Sequence, residues 1–250
     1  MDELAEKIAD ARDRLSGAAS IIVLTGAGIS AESGIPTFRG EEGLWQNFRP
    51  EELATPEAFW KDPKLVWEWY EWRRNIVKQA KPNPGHYALA ELESETHNFT
   101  LVTQNIDGLH QMSGNRNIVE IHGNLWQVRC TKCGDIVENH DVPMAELPPR
   151  CQKCGEIGRP NVVWFNEVIP MEVIDRSLKA IEECDVMLII GTSGIVEPAA
   201  SMGLVAKQTG KCVIEINLEM TPSSPLYDLT LLGKSGEILP LLYTTERTYS

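Results

Sequence analysis

Four of the chain's six cysteines fall in two pairs, Cys130-Thr-Lys-Cys133 and Cys151-Gln-Lys-Cys154. The seventeen residues 134–150 between them fit the spacing of about fifteen to twenty found in zinc ribbons. Four thiolates form a tetrahedral cage that suits zinc and leaves no open coordination position, so the implied metal is structural. Gly134 and Gly155 follow the pairs and permit the tight knuckle that turns amide N–H groups toward sulfur. A redox role would require a thioredoxin-like strand–helix junction, which neither pair occupies. Cys184 and Cys212 stand alone beside apolar strands.

A second centre lies near the start of the chain. Gly26-Ala27-Gly28, with Ala31 in the third position, follows a β-branched run and matches the G-x-G-x-x-G/A turn of dinucleotide sites. Glycine lets the backbone approach a pyrophosphate with no Cβ in the way. The ribose-binding acid expected about twenty residues on should end a second strand. Glu51 and Glu52 instead fall in a helical stretch, so the ordinary dehydrogenase pattern fails. Asn217-Leu218-Glu219, at the end of another strand, is the alternative ribose site. Of the five histidines, His86 sits near a helix start, while His97 and His140 read as solvated. His122 has the titration range of a general base.

These residues need a scaffold. Ser20–Thr25, Phe99–Thr103, Val186–Ile190 and Cys212–Ile216 are largely continuous apolar runs, as expected for parallel strands covered on both faces. Helical patterns over 3–15, 84–95, 170–183 and 197–209 separate them, with Gly17 as a stop signal. The alternation predicts an α/β fold with a doubly wound parallel sheet. Residues 40–80, rich in Trp and Glu, read as helices without a strand. Residues 126–160, with both cysteine pairs and Leu147-Pro-Pro149, are too loop-rich for a βα unit. Together they predict a smaller inserted domain, leaving 1–39, 81–125 and 161–250 as a discontinuous core; the tail after Tyr243 reads as frayed.

The composition narrows the function classes. In 250 residues, 23 Lys and Arg face 36 Asp and Glu, a formal charge of −13, which disfavours a phosphate-binding nucleic-acid surface. With 42% hydrophobic and 24% charged residues the chain is globular, not disordered. An acidic start without a signal-peptide pattern, and no bilayer-length apolar run, predict a cytoplasmic protein that does not enter a membrane.

Gly26-Ala-Gly-Ile-Ser-Ala-Glu-Ser-Gly-Ile-Pro-Thr-Phe-Arg-Gly40 resembles the signature of the sirtuins, NAD-dependent protein-lysine deacylases. Further blocks agree in order: Thr103-Gln-Asn-Ile-Asp-Gly-Leu-His110, Glu120-Ile-His-Gly123, the cysteine ribbon, Arg159-Pro-Asn-Val-Val-Trp-Phe165, Gly191-Thr-Ser193 and Ile216-Asn-Leu-Glu219. The resemblance implies a Rossmann-type NAD-binding domain, a small domain holding one structural zinc, and an acyl-lysine peptide lying in the cleft between them. NAD would be consumed. The acyl oxygen attacks the nicotinamide ribose, nicotinamide leaves, and an imidate resolves to free lysine and 2'-O-acyl-ADP-ribose. By the same resemblance His122 is the base, and Asn105 and Asp107 hold the nicotinamide pocket. Gly26, Ala27, Gly28, Ser30, Gln104 and Ile106 belong to the dinucleotide site, with Phe38 and Arg39 guarding its reacting face. Gly191, Thr192, Ser193, Asn217, Leu218 and Glu219 hold the adenosine side, and Ser235 the last adenine contact. Val162, Val163 and Phe165 would line the peptide channel. A glycine-bordered loop from Gly26 to Gly43 could exclude water from the reacting centre.

Tyr70 and Arg73 lie three apart on one helical face. They resemble the Tyr-x-x-Arg pair of the sirtuin class that removes negatively charged acyl groups such as succinyl and malonyl. A guanidinium binds a terminal carboxylate bidentately and a phenol adds a donor. Ala58 matches the accompanying small residue. The plain alternative is a core helix with Trp69 and Trp72 inward and Arg73 solvated. Two departures stand out: Asn166, where the family usually has glycine, is expected to narrow the peptide channel or change how the substrate backbone pairs, and Glu197 replaces a common tyrosine with an effect on packing beside the cofactor and little on catalysis. Competing functions are hydride transfer by an NAD oxidoreductase, a non-enzymatic zinc-ribbon adaptor and, within the family, ADP-ribosyl transfer to protein.

Overall fold

The computed structural model describes residues 3–38 and 43–243. Six parallel strands make the main sheet: β1 (Ser20–Thr25), β2 (Asn98–Thr103), β3 (Ile118–Glu120), β7 (Val186–Ile190), β8 (Cys212–Asn217) and β9 (Leu229–Leu232). Their spatial order is β3-β2-β1-β7-β8-β9, the order of a doubly wound dinucleotide fold with its reversal between β1 and β7. Side chains alternate between two cores. Ile21, Val23, Leu101 and Leu188 face α1 (Glu3–Ser16), α6 (Pro84–Glu95) and α10 (Ser235–Tyr243). Ile22, Leu24, Val102 and Met187 face α8 (Met171–Glu183) and α9 (Ala199–Gln208). Both faces being covered, the strands are apolar throughout.

The short helices α2 (Ala27–Ala31) and α7 (Leu109–Ser113) follow β1 and β2 at their carboxyl ends. Neither has the length to display a helical period, and the edge strands β3 and β9 are as brief. Periodicity alone therefore misses all four.

Residues 43–80 form helices without a strand, α3 (Pro50–Leu53), α4 (Pro56–Lys61) and α5 (Pro63–Gln79), after a single 3₁₀ turn. They pack on an antiparallel sheet in the order β5-β4-β6, built from β4 (Gly123–Cys130), β5 (Ile136–Glu138) and β6 (Gly158–Val162). This sheet begins before residue 126 and ends after residue 160, because Gly123 pairs with Val162 and the chain enters and leaves the ribbon side by side. The third core joins Phe59, Val66, Trp67 and Tyr70 to Leu125, Val128 and Trp164. Trp67 Nε1 donates to the Gly158 carbonyl at 2.8 Å. No helix among the described residues is long and apolar enough to cross a membrane.

Arg74 is fully buried. Its guanidinium donates to the carbonyls of Leu125, Asn139 and Asp141 at 3.1, 2.8 and 3.0 Å, and to Asn139 Oδ1 at 2.6 Å. One side chain thus fastens α5 to the ribbon. Glu71 is the nearest carboxylate, at 3.7 Å. Arg74→Met keeps the stem but strands the buried Leu125 carbonyl and two part-buried ones, and an acceptor left unsatisfied in the interior costs about 1–3 kcal/mol. We predict a loss of about 3 kcal/mol or more in urea unfolding, and an unchanged midpoint would contradict this role.

Candidate active site

The carboxyl ends of β1, β2, β7 and β8 open on one cleft of about 740 Å³, with the Val162–Glu167 segment forming the opposite wall. This is the crevice expected where strand order reverses. Two glycine turns meet at its floor. A Cβ on Gly28 would lie 2.7 Å from Gly191 Cα, one on Gly26 2.7 Å from the Gly191 carbonyl, and one on Gly191 2.5 Å from Ile29 N. Gly191 also has φ +60°, where side chains are disfavoured. The Gly28 N–H donates to the Gly191 carbonyl at 2.9 Å and Gly26 N–H to Ile190 at 3.0 Å. The glycines therefore first satisfy a backbone-on-backbone contact between turns, a demand separate from approach by a ligand.

Asn105 Nδ2 donates to the Gly26 carbonyl at 3.0 Å and to Ser30 Oγ at 3.2 Å. Ser30 in turn donates to Asp107 Oδ2 at 2.8 Å, while Leu109 N–H binds Oδ1 at 2.9 Å. Burial raises the Asp107 pKa against these bonds and the Arg73 charge. Gln104, Asn105 and Ile106 line the cleft; Ser30 and Asp107 are buried behind it and brace it.

His122 follows β3 and precedes β4. Its Nδ1 lies 3.0 Å from the Gln104 carbonyl. A carbonyl only accepts, so Nδ1 carries the proton and Nε2 keeps its lone pair. Burial lowers the pKa, opposed by the bond to Gln104, so the imidazole is held neutral. The partner strand fixes it from behind: Val163 N–H donates to the His122 carbonyl at 2.9 Å. His86 and His110 are buried, whereas His97 and His140 are exposed.

Tyr70 and Arg73 line the cleft and are 2% and 8% exposed, which overturns the solvated alternative for Arg73. Its guanidinium sits 4.8 Å from the Phe38 ring centroid, 5.0 Å from Trp69 and 5.7 Å from Tyr70. Among the described residues no carboxylate makes an ion pair with it. Trp72 is 40% exposed rather than inward. Ala58 belongs to the core of the helical module and does not reach the cleft; Ala54 does. The reason is local: α3 ends at Leu53 and the backbone breaks at Ala54 (φ −133°, ψ 41°), whose carbonyl accepts Phe165 N–H at 3.0 Å. Two alanines one helical turn apart look alike in sequence.

Ala27, Thr192, Ser193, Leu218 and Glu219 line the half of the cleft at the ends of β1, β7 and β8, where Asn217 Nδ2 donates to the Thr192 carbonyl at 2.7 Å. Ser235 does not line it. Its hydroxyl donates to Glu32 Oε1 at 3.1 Å, beside the Gly236 N–H at 2.8 Å, so it ties α10 to the end of α2. Glu215, a buried carboxylate that sequence reasoning passed over as a strand residue, accepts Thr221 Oγ1 at 2.9 Å and Ser224 Oγ. That cage sets the loop after β8. Val162, Val163 and Phe165 line the opposite wall. Arg39 lies outside the described residues, as does the tail after Tyr243.

Asn166 has φ +67°, a conformation that Asn tolerates better than other side chains. It preserves the turn that glycine would make, and the Glu167 N–H returns to the Trp164 carbonyl at 3.1 Å. Glu197 lines the cleft and also accepts Ser201 N–H and Oγ–H at 3.2 and 2.9 Å, holding the start of α9.

The four paired cysteines converge, with all ligand atoms within 4.8 Å of one another. Sγ separations of 3.4 Å (Cys130–Cys154) and 3.7 Å (Cys133–Cys151) match a tetrahedron of ~2.3 Å Zn–S bonds, whose edges are about 3.8 Å. The site fits zinc and is closed. Purified protein should carry one zinc per chain by elemental analysis. Cys154→Ser should lose it, with Tm falling by at least ~4 °C, about 1 kcal/mol or more in a chain this size. A metal-free chain of unchanged Tm would refute the structural role.

The Sir2 family profile matches residues 26–198. The chain is 51% identical over 224 residues to the NAD-dependent protein deacylase of Aquifex aeolicus (strain VF5), covering 90% of this chain and 94% of that one. It is 50% identical over 230 residues to NAD-dependent protein deacylase 2 of Pyrobaculum aerophilum, covering 92% of each. Its fold superposes on a Sir2 homolog–NAD complex with TM-score 0.88 at 48% identity, covering 94% and 92% of the two chains. A Sir2–p53 peptide–NAD+ complex gives TM-score 0.83 at 29% identity, covering 93% and 95%. With the parallel-sheet cleft, the braced Asn105–Ser30–Asp107 cluster and the four-cysteine ribbon, these similarities establish that the chain belongs to the Sir2 family.

Proposed function

We propose that this chain is an NAD-dependent protein-lysine deacylase that removes succinyl or malonyl groups in preference to acetyl. The products would be nicotinamide and 2'-O-acyl-ADP-ribose. The deacylase reading is supported by the relatives' names and by the fit of the cleft to a dinucleotide. The acyl preference rests on one observation, the Arg73 guanidinium on the cleft wall. It is buried against aromatic faces and makes no ion pair among the described residues, the buried Asp107 acting on it only through space. A buried cation with no anion in contact is costly, and the terminal carboxylate of an acidic acyl group would complete it.

When bound, NAD supplies an electrophilic ribose carbon and a leaving nicotinamide. The residues of the chain bind, orient and shield. Phe38 and Ile106 would keep water from the reacting face, Asn105 would hold the turn beside the nicotinamide, and Val163 and Phe165 would flank the peptide. His122, its Nε2 unprotonated, would take a proton from a ribose hydroxyl, a step that general bases accelerate by about 10²–10⁴-fold.

Two measurements test this. Incubated with NAD and a succinyl-lysine peptide, the protein should release nicotinamide with no gain in absorbance from reduced cofactor, the signal an oxidoreductase would give. It should also leave no ADP-ribose on the protein. The succinyl-to-acetyl ratio of kcat/KM should fall at least ~10-fold in Arg73→Met, the worth of a charge-assisted bond. A ratio that survives the change would remove the acyl assignment. The second is a pH profile. Because burial lowers the His122 pKa, the base stays available below the ordinary histidine range. The acidic limb of kcat/KM should therefore lie below about pH 6.5. A limb at or above that value would argue against His122.

A further inference from the structure

Trp164 is 3% exposed, and its indole Nε1–H donates to Tyr70 Oη at 2.9 Å. It is unusually well fixed. The Arg159 guanidinium stacks 3.5 Å from its ring centroid, and Glu167 binds Arg159 through both oxygens at 2.5 and 2.8 Å. The same carboxylate accepts Trp164 N–H at 2.9 Å, and the left-handed Asn166 makes the turn that brings Glu167 there. Indole nitrogen only donates, so the direction of its bond to Tyr70 is unambiguous. A phenol has one hydrogen. With one lone pair of Oη taken by Trp164, and with Arg73 beside it offering only donors, that hydrogen has no acceptor among these neighbours and is left for the cleft.

We infer that Trp164 is a specificity-positioning residue, which by donating to Tyr70 Oη sets that hydroxyl as a hydrogen donor to the terminal carboxylate of an acidic acyl-lysine. This rests on the acidic-acyl reading of Tyr70 and Arg73 and extends it one residue outward. The carboxylate would then receive charge from Arg73 and an oriented O–H from Tyr70. An acetyl group, lacking the carboxylate, draws on neither, so the bond acts on discrimination between substrates rather than on the shared chemistry.

The test replaces Trp164 with 3-benzothienylalanine by amber suppression, which keeps the ring and removes only the N–H donor; Trp164→Phe is the genetically simpler companion. Kinetics are compared on succinyl- and acetyl-lysine peptides of one sequence, beside Tyr70→Phe and the combination of Tyr70→Phe with Trp164→Phe. Loss of one neutral hydrogen bond is worth about 5-fold. The succinyl-to-acetyl ratio of kcat/KM should fall by that factor in both Trp164 replacements, chiefly through a raised KM for the succinyl peptide. The double variant should fall no further than Tyr70→Phe alone. If Tyr70→Phe lowers the ratio and the benzothienyl protein retains it, the inference is overturned while the acidic-acyl reading stands. Multiplying effects in the double variant would overturn it equally. A wild-type protein with no succinyl preference would overturn both.

Discussion

Two glycine turns pressed backbone to backbone hold this molecule's chemistry in place. Gly26 and Gly28 leave β1 where Gly191 leaves β7, and a single Cβ on any of the three would come within 2.7 Å of the opposing main chain. The reversal of strand order brings these turns side by side, and their contact fixes how the cleft opens between them. From that floor the brace runs outward: Asn105 holds the Gly26 carbonyl, Ser30 holds Asn105, and Asp107 holds Ser30. The carboxylate at the end of the series is buried, so its hydrogen bonds are worth more and their loss would be costlier than at a surface.

Much of the sheet was readable because burial on both faces leaves an unmistakable run of apolar residues. β1 and β7 begin and end where Ser20–Thr25 and Val186–Ile190 do. β3 and β9, three and four residues long, carry too little pattern, and α2 and α7 are too short for a helical period to show. The ribbon's cysteines announce themselves by spacing, while only Cys130 lies in a strand and the pairing of β4 with β6 is interrupted by a register shift. Their limits at Gly123 and Val162 come from pairing that the sequence does not display.

Within the cleft, legibility follows the same division. Residues proposed to act through their own chemistry, such as His122, and the paired cysteines can be picked out with the help of family blocks. Residues whose role depends on which way the backbone turns cannot. Ala54 and Ala58 have the same side chain in adjacent helical turns, and only the break after Leu53 decides which faces the cavity. Ser235 is a plausible ligand contact until its hydroxyl is seen bound to Glu32. Asn166 reads in sequence only as a departure at the channel edge; that it lines the cleft from a left-handed turn is not displayed there. Glu215 passes unnoticed as one residue of an apolar strand, and the hydroxyls that pair with it come from Thr221 and Ser224 in the loop beyond.

The small module is less a lid than an extension of the cleft wall. β4 starts one residue after His122 and ends on Cys130, a first sulfur of the ribbon, and its partner β6 leads directly to Val163, which grips the His122 main chain. Cluster and imidazole therefore sit at opposite ends of one bulged ladder, roughly 13 Å apart along the five-residue β6. Because the cysteines close the loops at the far end, loss of their metal would loosen that ladder and, under the proposed function, would be felt at the His122 ring on the cleft.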